Sequence, residues 1–202
     1  MQSQAGMVAA AMLLLTGTSP AQPLQGEALV KALRQGGFVI VMRHASSPRE
    51  APSKQTANAD NIKLERQLDE TGRATAIAMG KAIHELKILI GDVFSSPTYR
   101  ALETVRYAQL GDAQQYAELG DNGQSMQGGT EAQAAWLRKK VTQFPKGTNI
   151  VLVTHLPNLR GAFPQLTDGV EDGEALVFGP DGKGGATIVG RVKIEEWQAL
   201  RH

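Results

Sequence analysis

The segment VIVMRHASSPRE, residues 39–50, changes character at its fifth residue. With Phe38 before it, the apolar β-branched half predicts a short strand that is buried on both faces, because its residues do not alternate with polar ones. The polar remainder predicts a loop. Arg43 and His44 therefore stand at the end of a strand, which is a position that suits a catalytic side chain.

Two later segments repeat this arrangement. NIVLV at 149–153 is a second buried-type strand, and it is halted by a threonine and His155. The very short strand at 93–94 is followed by SSP at 95–97. A serine N-cap before a proline predicts a helix that starts at that proline, runs to about residue 109 and carries Arg100 in its first turn.

The remaining periodicities complete an alternation of helices and strands. Helices are predicted over 27–34, 71–90 and 130–144, loops over 46–61 and 111–129, and a hairpin of strands over 175–178 and 186–194. This alternation predicts an α/β domain, a three-layer α/β/α sandwich with a mainly parallel central sheet. Ligands bind such sheets beyond the carboxyl ends of the strands, so the three polar strand ends are expected to open into one crevice. The two loops are expected to set the choice of substrate.

The composition is that of an ordinary globular protein, with 42% hydrophobic and 20% charged residues in a chain of 202. The net charge of +1 gives no electrostatic footprint for nucleic acid, so no such partner is expected. The absence of cysteine excludes a disulfide scaffold, thiol catalysis and thiolate metal sites. No H-E-x-x-H or comparable ligand cluster occurs, and neither a metal nor a cofactor is expected.

The N-terminus predicts export. The apolar run MVAAAMLLL at 7–15 is followed by Ser19 and Ala21, small residues placed for signal-peptide cleavage, although no Lys or Arg precedes the run. The run is about half the ~20 residues that a membrane-spanning helix needs, so no stable membrane anchor is expected. Residues 1–21 are thus predicted as a signal peptide, residues 22–202 as one domain, and the periplasm or the exterior as its location.

The predicted crevice collects two guanidinium groups and two imidazoles, those of Arg43, Arg100, His44 and His155. Arginine offers a planar fork that matches phosphate oxygens, and a helix N-terminus near residue 97 adds unpaired N–H groups. One imidazole can attack phosphorus while the other donates hydrogen bonds to the transferring group. Fixed cationic donors can stabilise the charge in flight, so this chemistry requires no metal.

These residues lie in segments that resemble the histidine phosphatase superfamily, also called phosphoglycerate mutase-like. The resemblance is carried by RHA at 43–45, LERQLDETGRATA at 64–76, SSPTYRALET at 95–104, VTHLPN at 153–158 and GEALVFGPDG at 173–182, the last similar to secreted bacterial members. It implies that His44 is the nucleophile that forms a phosphohistidine and that Arg43 and Arg100 hold the phosphate. It also implies that His155 stabilises the transferring group. Ala45 stands where the family most often has glycine, and we expect a tighter loop with intact chemistry.

The sequence leaves open which group protonates the leaving oxygen. The resemblance implies a Glu or Asp, either directly after the second histidine or between the second and the last motif. Leu156 follows His155, which rules out the first position. Glu118, Asp121 and Glu131 are candidates for the second, and spacing does not choose among them. If none of them reaches the site, only phosphates with good leaving groups would turn over well.

The sequence therefore predicts a metal-independent phosphomonoester hydrolase for a small-molecule or glycolipid phosphate. Two alternatives stay open, a phosphohistidine-protein phosphatase, which export disfavours, and a non-catalytic phosphate-ester binding protein on the same fold. A mutase would need a tight pocket that retains a bisphosphate, and nothing in the sequence indicates one. Three further basic side chains, Arg49, Lys54 and Arg66, could meet a second anionic group on a substrate or face water, and we expect them to face water.

Overall fold

The structure, a computed structural model, describes residues 23–121, 130–164 and 169–201. Six strands form one mixed sheet: β1 (Val39–Arg43), β2 (Ile90–Ser95), β3 (Ala113–Gln115), β4 (Asn149–Thr154), β5 (Ala175–Pro180) and β6 (Ala186–Val192). Their order across the sheet is β3-β2-β4-β1-β5-β6. The first four run parallel to one another, whereas β5 is antiparallel to β1 and β6 is antiparallel to β5.

Helices cover both faces of this sheet. They are α1 (Gly26–Gln35), α2 (Glu70–Glu85), α3 (Tyr99–Tyr107), α4 (Glu131–Lys140), α5 (Leu156–Ala162) and α6 (Glu196–Ala199), with a single-turn 3-10 helix at Ala117–Leu119. Helices α1, α2, α3 and α6 pack into one hydrophobic core, and α4 and α5 pack into a second core on the opposite face. The predicted α/β sandwich is therefore confirmed.

Strand β1 lies between the two cores. Ile40 and Met42 pack toward α1 and α2, while Val39 and Val41 pack toward α4 and α5. All four side chains are buried. A strand that is covered on both faces needs apolar residues at every position, which explains why this segment does not alternate.

Helix α2 ends before the end of the predicted helix at 71–90. Lys87 adopts a left-handed backbone conformation with φ of 57°, and the Ile88 N–H donates to the Ile83 carbonyl at 3.1 Å. This closure of the last turn needs no glycine. Ile90, which completes the apolar period of the predicted helix, instead begins β2, and for this reason the strand is longer than the two residues predicted.

Helix α3 begins two residues later than predicted. Thr98 is its N-cap, and Pro97 precedes the cap instead of forming the first helical residue. The Ser96 hydroxyl accepts a hydrogen bond from the Thr98 N–H at 3.2 Å, so it acts on the turn before the helix. Four further elements are absent from the sequence prediction, the short helices α5 and α6, the 3-10 helix and the strand β3. The last two lie within the segment predicted as an irregular loop at 111–129.

Some predictions fall on residues that the structure does not describe. The predicted signal peptide at 1–21 lies outside the described residues, as do residues 122–129 of the predicted loop. Within the described part of the chain, no helix has both the length and the apolar character needed to cross a membrane.

Candidate active site

The carboxyl ends of β1, β2 and β4 meet at one edge of the sheet because these strands are parallel neighbours. Arg43 is in register with Thr154, and Ser95 with Val153. Beyond the strands, the His44 N–H donates to the Thr154 carbonyl at 3.0 Å. The sheet therefore brings together the polar residues that follow all three strands, which are far apart in the sequence.

His44 is held as a neutral ring. Its Nδ1 donates to the carbonyl of Ala45 at 2.7 Å, and its Nε2 accepts from Nε of Arg100 at 3.2 Å. Because an arginine N–H can only donate, Nε2 carries the lone pair and Nδ1 carries the proton. Burial, reinforced by the neighbouring His155 and Arg100, holds the pKa of His44 well below its usual value. This neutral form is the one that can attack phosphorus.

His155 is the N-cap of α5 and is equally buried. Its Nδ1 lies 3.0 Å from Nη2 of Arg100, and its Nε2 lies 2.9 Å from Oγ of Ser96. Since arginine donates to Nδ1, the proton is on Nε2 and is donated to the serine hydroxyl. Burial, followed by the charge of Arg100, lowers the pKa of His155 well below its usual value. The two imidazole rings lie 5.1 Å apart between centroids.

Arg100 connects the two imidazoles and is itself only 5% exposed. Its guanidinium donates to both rings and forms a close ion pair with Asp121. A buried guanidinium needs such a partner, because an unpaired buried charge is strongly destabilising. The first turn of α3, which the sequence predicts to add unpaired N–H groups, already has most of them bonded. The Tyr99 N–H donates to the Glu65 carboxylate at 2.9 Å, and two further N–H groups of this turn donate to the Thr98 carbonyl at 3.1 Å.

Thr104, one turn further along α3, fixes the loop that follows His44. Its hydroxyl accepts from the Ala45 N–H at 3.0 Å and donates to the Arg100 carbonyl at 2.9 Å. Both Ala45 and Thr104 are fully buried. The methyl group of Ala45, where the resembling family most often has glycine, is therefore accommodated inside the core.

Arg43, the residue before His44, faces a carboxylate that belongs to none of the sequence motifs. Its Nη2 forms an ion pair with Asp172 at 2.6 Å, and its Nη1 donates to the Val170 carbonyl at 3.2 Å. Its Nε has no hydrogen-bond partner among the described residues. Asp172 precedes a strand that is antiparallel to β1, so its proximity follows from topology and not from the motif spacing.

The three predicted candidates for the acid are in different places. Asp121 lies in the site, against Arg100. Glu131 lies elsewhere, because its carboxylate is 82% exposed and pairs with Arg138. Glu118 is in the single-turn 3-10 helix, where its carbonyl oxygen accepts from the side chain of Asn158 at 3.5 Å.

Arg66 does not face water as predicted. Its Nε donates to the Pro48 carbonyl at 2.6 Å, and its Nη2 donates to the Ser47 carbonyl at 3.0 Å. These bonds tie it to the loop that follows His44. Burial, followed by the positive charge of Arg100, lowers the pKa of Arg66. Its neighbours Arg49 and Lys54 are exposed, as predicted.

The site is built for an anion. The positive charges of Arg43, Arg66 and Arg100 all act on the buried His155, and both imidazoles are neutral. Such a cluster creates a positive potential that attracts phosphate. Within the residues that the structure describes, no three His, Asp or Glu side chains are arranged to hold a metal ion.

No protein-family model and no curated protein sequence matches this chain. Solved structures do match it. The protein histidine phosphatase SixA complexed with tungstate superposes with a TM-score of 0.57 at 19% identity, over 79% of this chain and 98% of that chain. YhfR from Bacillus stearothermophilus gives 0.53 at 16% identity, over 76% of this chain and 95% of that chain. A phosphoserine phosphatase variant from Entamoeba histolytica in complex with phosphoserine superposes with a TM-score of 0.52 at 12% identity, over 78% of this chain and 98% of that chain.

The structural neighbours are members of the histidine phosphatase superfamily. At these identities the similarity establishes the fold. The chain therefore has the phosphoglycerate mutase-like α/β fold, as the sequence predicts.

Proposed function

We propose that this protein is a metal-independent phosphomonoester hydrolase that works through a phosphohistidine on His44. The observation that carries the proposal is the lone pair on Nε2 of His44. Its proton is held on the opposite nitrogen, and the lone pair faces Arg100 inside a buried, positive site. A neutral imidazole anchored in this way is a nucleophile aimed at the position where an anion binds.

Phosphate binding releases this nucleophile. In the structure Nε and Nη2 of Arg100 donate to the two imidazoles. Phosphate oxygens are stronger acceptors for a guanidinium, because the bonds are charge-assisted and bidentate. Arg100 therefore turns to the phosphate, and Nε2 of His44 is left free to attack.

The transfer step forms an N–P bond at His44 while the ester P–O bond breaks. Arg43 and Arg100 stabilise the charge on the transferring phosphoryl oxygens. His155 donates a further hydrogen bond to them from Nδ1, which takes up a proton when Arg100 turns to the phosphate, while the Nε2–H stays on Ser96. Each well-placed donor of this kind lowers the activation free energy by about 3 kcal/mol. Water then attacks the phosphohistidine and releases inorganic phosphate.

The proposed substrate is a phosphomonoester of a small molecule or of a glycolipid. A phosphohistidine protein is the second candidate, because one structural neighbour is described as a protein histidine phosphatase. The two substrates differ in what the site must supply. Phosphohistidine has a good leaving group, whereas an alkyl ester requires an acid that protonates the departing oxygen.

The test is hydrolysis of p-nitrophenyl phosphate in the presence of EDTA by the full chain and by its His44→Asn variant. Turnover is expected with the wild type and is expected to be lost in the variant. His84→Asn is the matched control, because His84 is exposed on α2 and makes no contact with the site residues described above.

A second measurement detects the intermediate. A 32P-labelled phosphodonor is expected to label the wild type on histidine and to leave His44→Asn unlabelled. If the wild type neither turns over the ester nor takes up label, the hydrolase proposal is wrong and a phosphate-ester binding protein is the better description. If it hydrolyses a phosphohistidine peptide far better than any ester, the second candidate replaces the first.

Export completes the proposal. The apolar run at 7–15 and the small residues up to Ala21 support secretion or a periplasmic location. The measurement is the N-terminal sequence of the protein recovered from a periplasmic fraction. Cleavage after Ala21 is the expected result, and recovery of the uncleaved chain in the cytoplasm would contradict it.

A further inference from the structure

The backbone fixes Asp172 beside the proposed nucleophile. The Gly173 N–H donates to the carbonyl of His44 at 2.9 Å, and the Arg43 N–H donates to the carbonyl of Glu174 at 3.1 Å. These two bonds bracket Asp172 and extend the pairing of β1 with β5. The position of its carboxylate is therefore set by the sheet and not by a free loop.

The turn that carries Asp172 is also held by the side chain of Glu174. The carboxylate of Glu174 is buried, pairs with Arg191 at 2.6 Å and accepts from the Glu171 N–H at 2.9 Å. A buried carboxylate with these partners holds the turn in one conformation. Asp172 is thus preorganised, as a group that transfers protons in a reaction must be.

Asp172 borders an open cleft of about 590 Å³. Arg43 lines this cleft together with three hydroxyl side chains, those of Ser46, Thr71 and Thr75. The Ser46 hydroxyl donates to the Asp69 carboxylate at 2.7 Å and the Thr75 hydroxyl to the Thr71 carbonyl at 2.8 Å, so both oxygens can accept hydrogen bonds from a polar alcohol. Since Arg43 is a proposed phosphate ligand, the cleft is the space next to the phosphate in which the rest of a substrate can lie.

The carboxyl group of Asp172 has the protonation behaviour that an acid needs. Burial raises the pKa of Asp172 above its usual value, and the charge of Arg43 only partly offsets this effect. A bound phosphate competes for Arg43 and adds negative charge nearby, which favours the protonated carboxyl further. Asp121, in contrast, is in a close ion pair with Arg100 between the two imidazoles, and its side chain is only 12% exposed.

We propose that Asp172 is the general acid that protonates the leaving oxygen of an alkyl phosphomonoester whose alcohol lies in the cleft beside Arg43. This inference rests on the proposed function. As the lone pair of His44 Nε2 forms the N–P bond, the electrons of the P–O bond pass to the leaving oxygen. That oxygen takes the proton of Asp172 and departs as the alcohol.

The second half of the reaction restores the acid. The Asp172 carboxylate takes a proton from a water molecule as the water oxygen attacks phosphorus. The electrons of the N–P bond return to Nε2 of His44, and inorganic phosphate leaves. The sum is ester plus water giving alcohol plus phosphate, with Asp172 protonated again.

The experiment compares two leaving groups in the full chain. Asp172→Asn is expected to lower kcat/KM for glycerol 2-phosphate by about 100-fold or more, because general acid catalysis contributes at least about this much. For p-nitrophenyl phosphate, whose leaving group needs no proton, the loss is expected to stay within about fivefold. Glu195→Gln is the matched control, since it neutralises another carboxylate of the same cleft. It is expected to leave kcat/KM unchanged for both substrates.

The outcomes separate the acid from a positioning role and from the proposed function. An equal loss on both substrates would mean that Asp172 only orients Arg43, and no loss on either would mean that it has no part in the reaction. Both results overturn the proposal, as does a leaving-group-selective loss in Asp121→Asn instead. If Asp172→Asn does not fold, Asp172→Ser also removes the carboxyl group and is expected to show the same leaving-group-selective loss. If the wild type hydrolyses neither ester and His44 takes no label, the hydrolase proposal itself has failed.

Discussion

The hydrogen bond between Thr104 and Ala45 offers a quantitative test of how α3 supports the nucleophile. Thr104→Val removes the hydroxyl while keeping the shape of the side chain. The Ala45 N–H, which is fully buried, is then left without its acceptor at 3.0 Å. An unsatisfied buried donor costs about 1–3 kcal/mol, which corresponds to a fall in Tm of ~2–12 °C for a chain of this size.

Activity should fall with stability in this variant. The loop after His44 loses its fixed distance from the helix that carries Arg100, and a nucleophile displaced by a fraction of an ångström is expected to lose about tenfold or more in kcat. Thr104→Ser is the control, because it keeps the hydroxyl and loses only a buried methyl group, worth about 1 kcal/mol.

The assay pairs thermal unfolding with steady-state hydrolysis of p-nitrophenyl phosphate at 25 °C, well below both melting temperatures. Hydrogen exchange at the Ala45 amide adds a local readout, and faster exchange is expected in the valine variant alone. If the valine variant melts no lower than the serine variant and keeps the wild-type kcat, the hydroxyl does not hold the loop and the reasoning is refuted.

Three further predictions follow from the site. Burial is the main reason why the pKa values of His44 and His155 lie well below the usual value. Below about pH 6.5 the unfolded chain therefore binds more protons at these two rings than the folded chain does. The stability that the rings contribute is complete above that pH and is lost as the pH falls. Tm should therefore fall as the pH is lowered from about 7.5 to 5.5, and it should fall less in the double variant with His44→Asn and His155→Asn. A wild-type Tm that does not change with pH would contradict this prediction. Arg66→Gln loses two bonds to backbone carbonyls and one positive charge, so KM for phosphate esters should rise about tenfold with a smaller change in kcat, and an unchanged KM argues against a role at the site. In Gly72→Ala the new Cβ would lie 2.1 Å from a backbone oxygen of the loop after His44, and both Tm and kcat should fall. Gly80→Ala is the control, because its new Cβ would lie 1.9 Å from the Ala108 carbonyl oxygen at the far end of α3, and only Tm should fall. An equal loss of kcat in both variants would show that the effect is not local.

Much of the fold is readable from hydrophobic patterning, and the errors have local causes. The central strands β1 and β4 are recognisable because burial on both faces leaves an uninterrupted apolar run. The end of α2 is not recognisable, because Lys87 takes a left-handed conformation that is usually given to glycine. Strand β3, AQQ at 113–115, has no apolar pattern, since it is an exposed edge strand three residues long.

The residues proposed to bind phosphate can be found from the sequence, and the proposed general acid cannot. Arg43, His44, Arg100 and His155 stand at strand ends or helix starts, where parallel topology dictates that they meet. Asp172 lies in no motif, and its proximity requires knowing that β5 pairs with β1 in antiparallel fashion. The sequence predicts that Arg66 faces water, because nothing in a loop sequence indicates that two carbonyl groups will accept hydrogen bonds from its guanidinium.

The reversal of strand direction between β1 and β5 has a consequence for how such a site can be changed. Parallel strands supply the proposed phosphate-binding wall from their carboxyl ends. The antiparallel neighbour supplies its amino end, and with it the turn at 171–174, to the same edge. The two walls therefore come from different, separately encoded parts of the chain. An engineer could graft a new turn between α5 and β5 to accommodate a different alcohol while the phosphate-binding wall keeps its sequence.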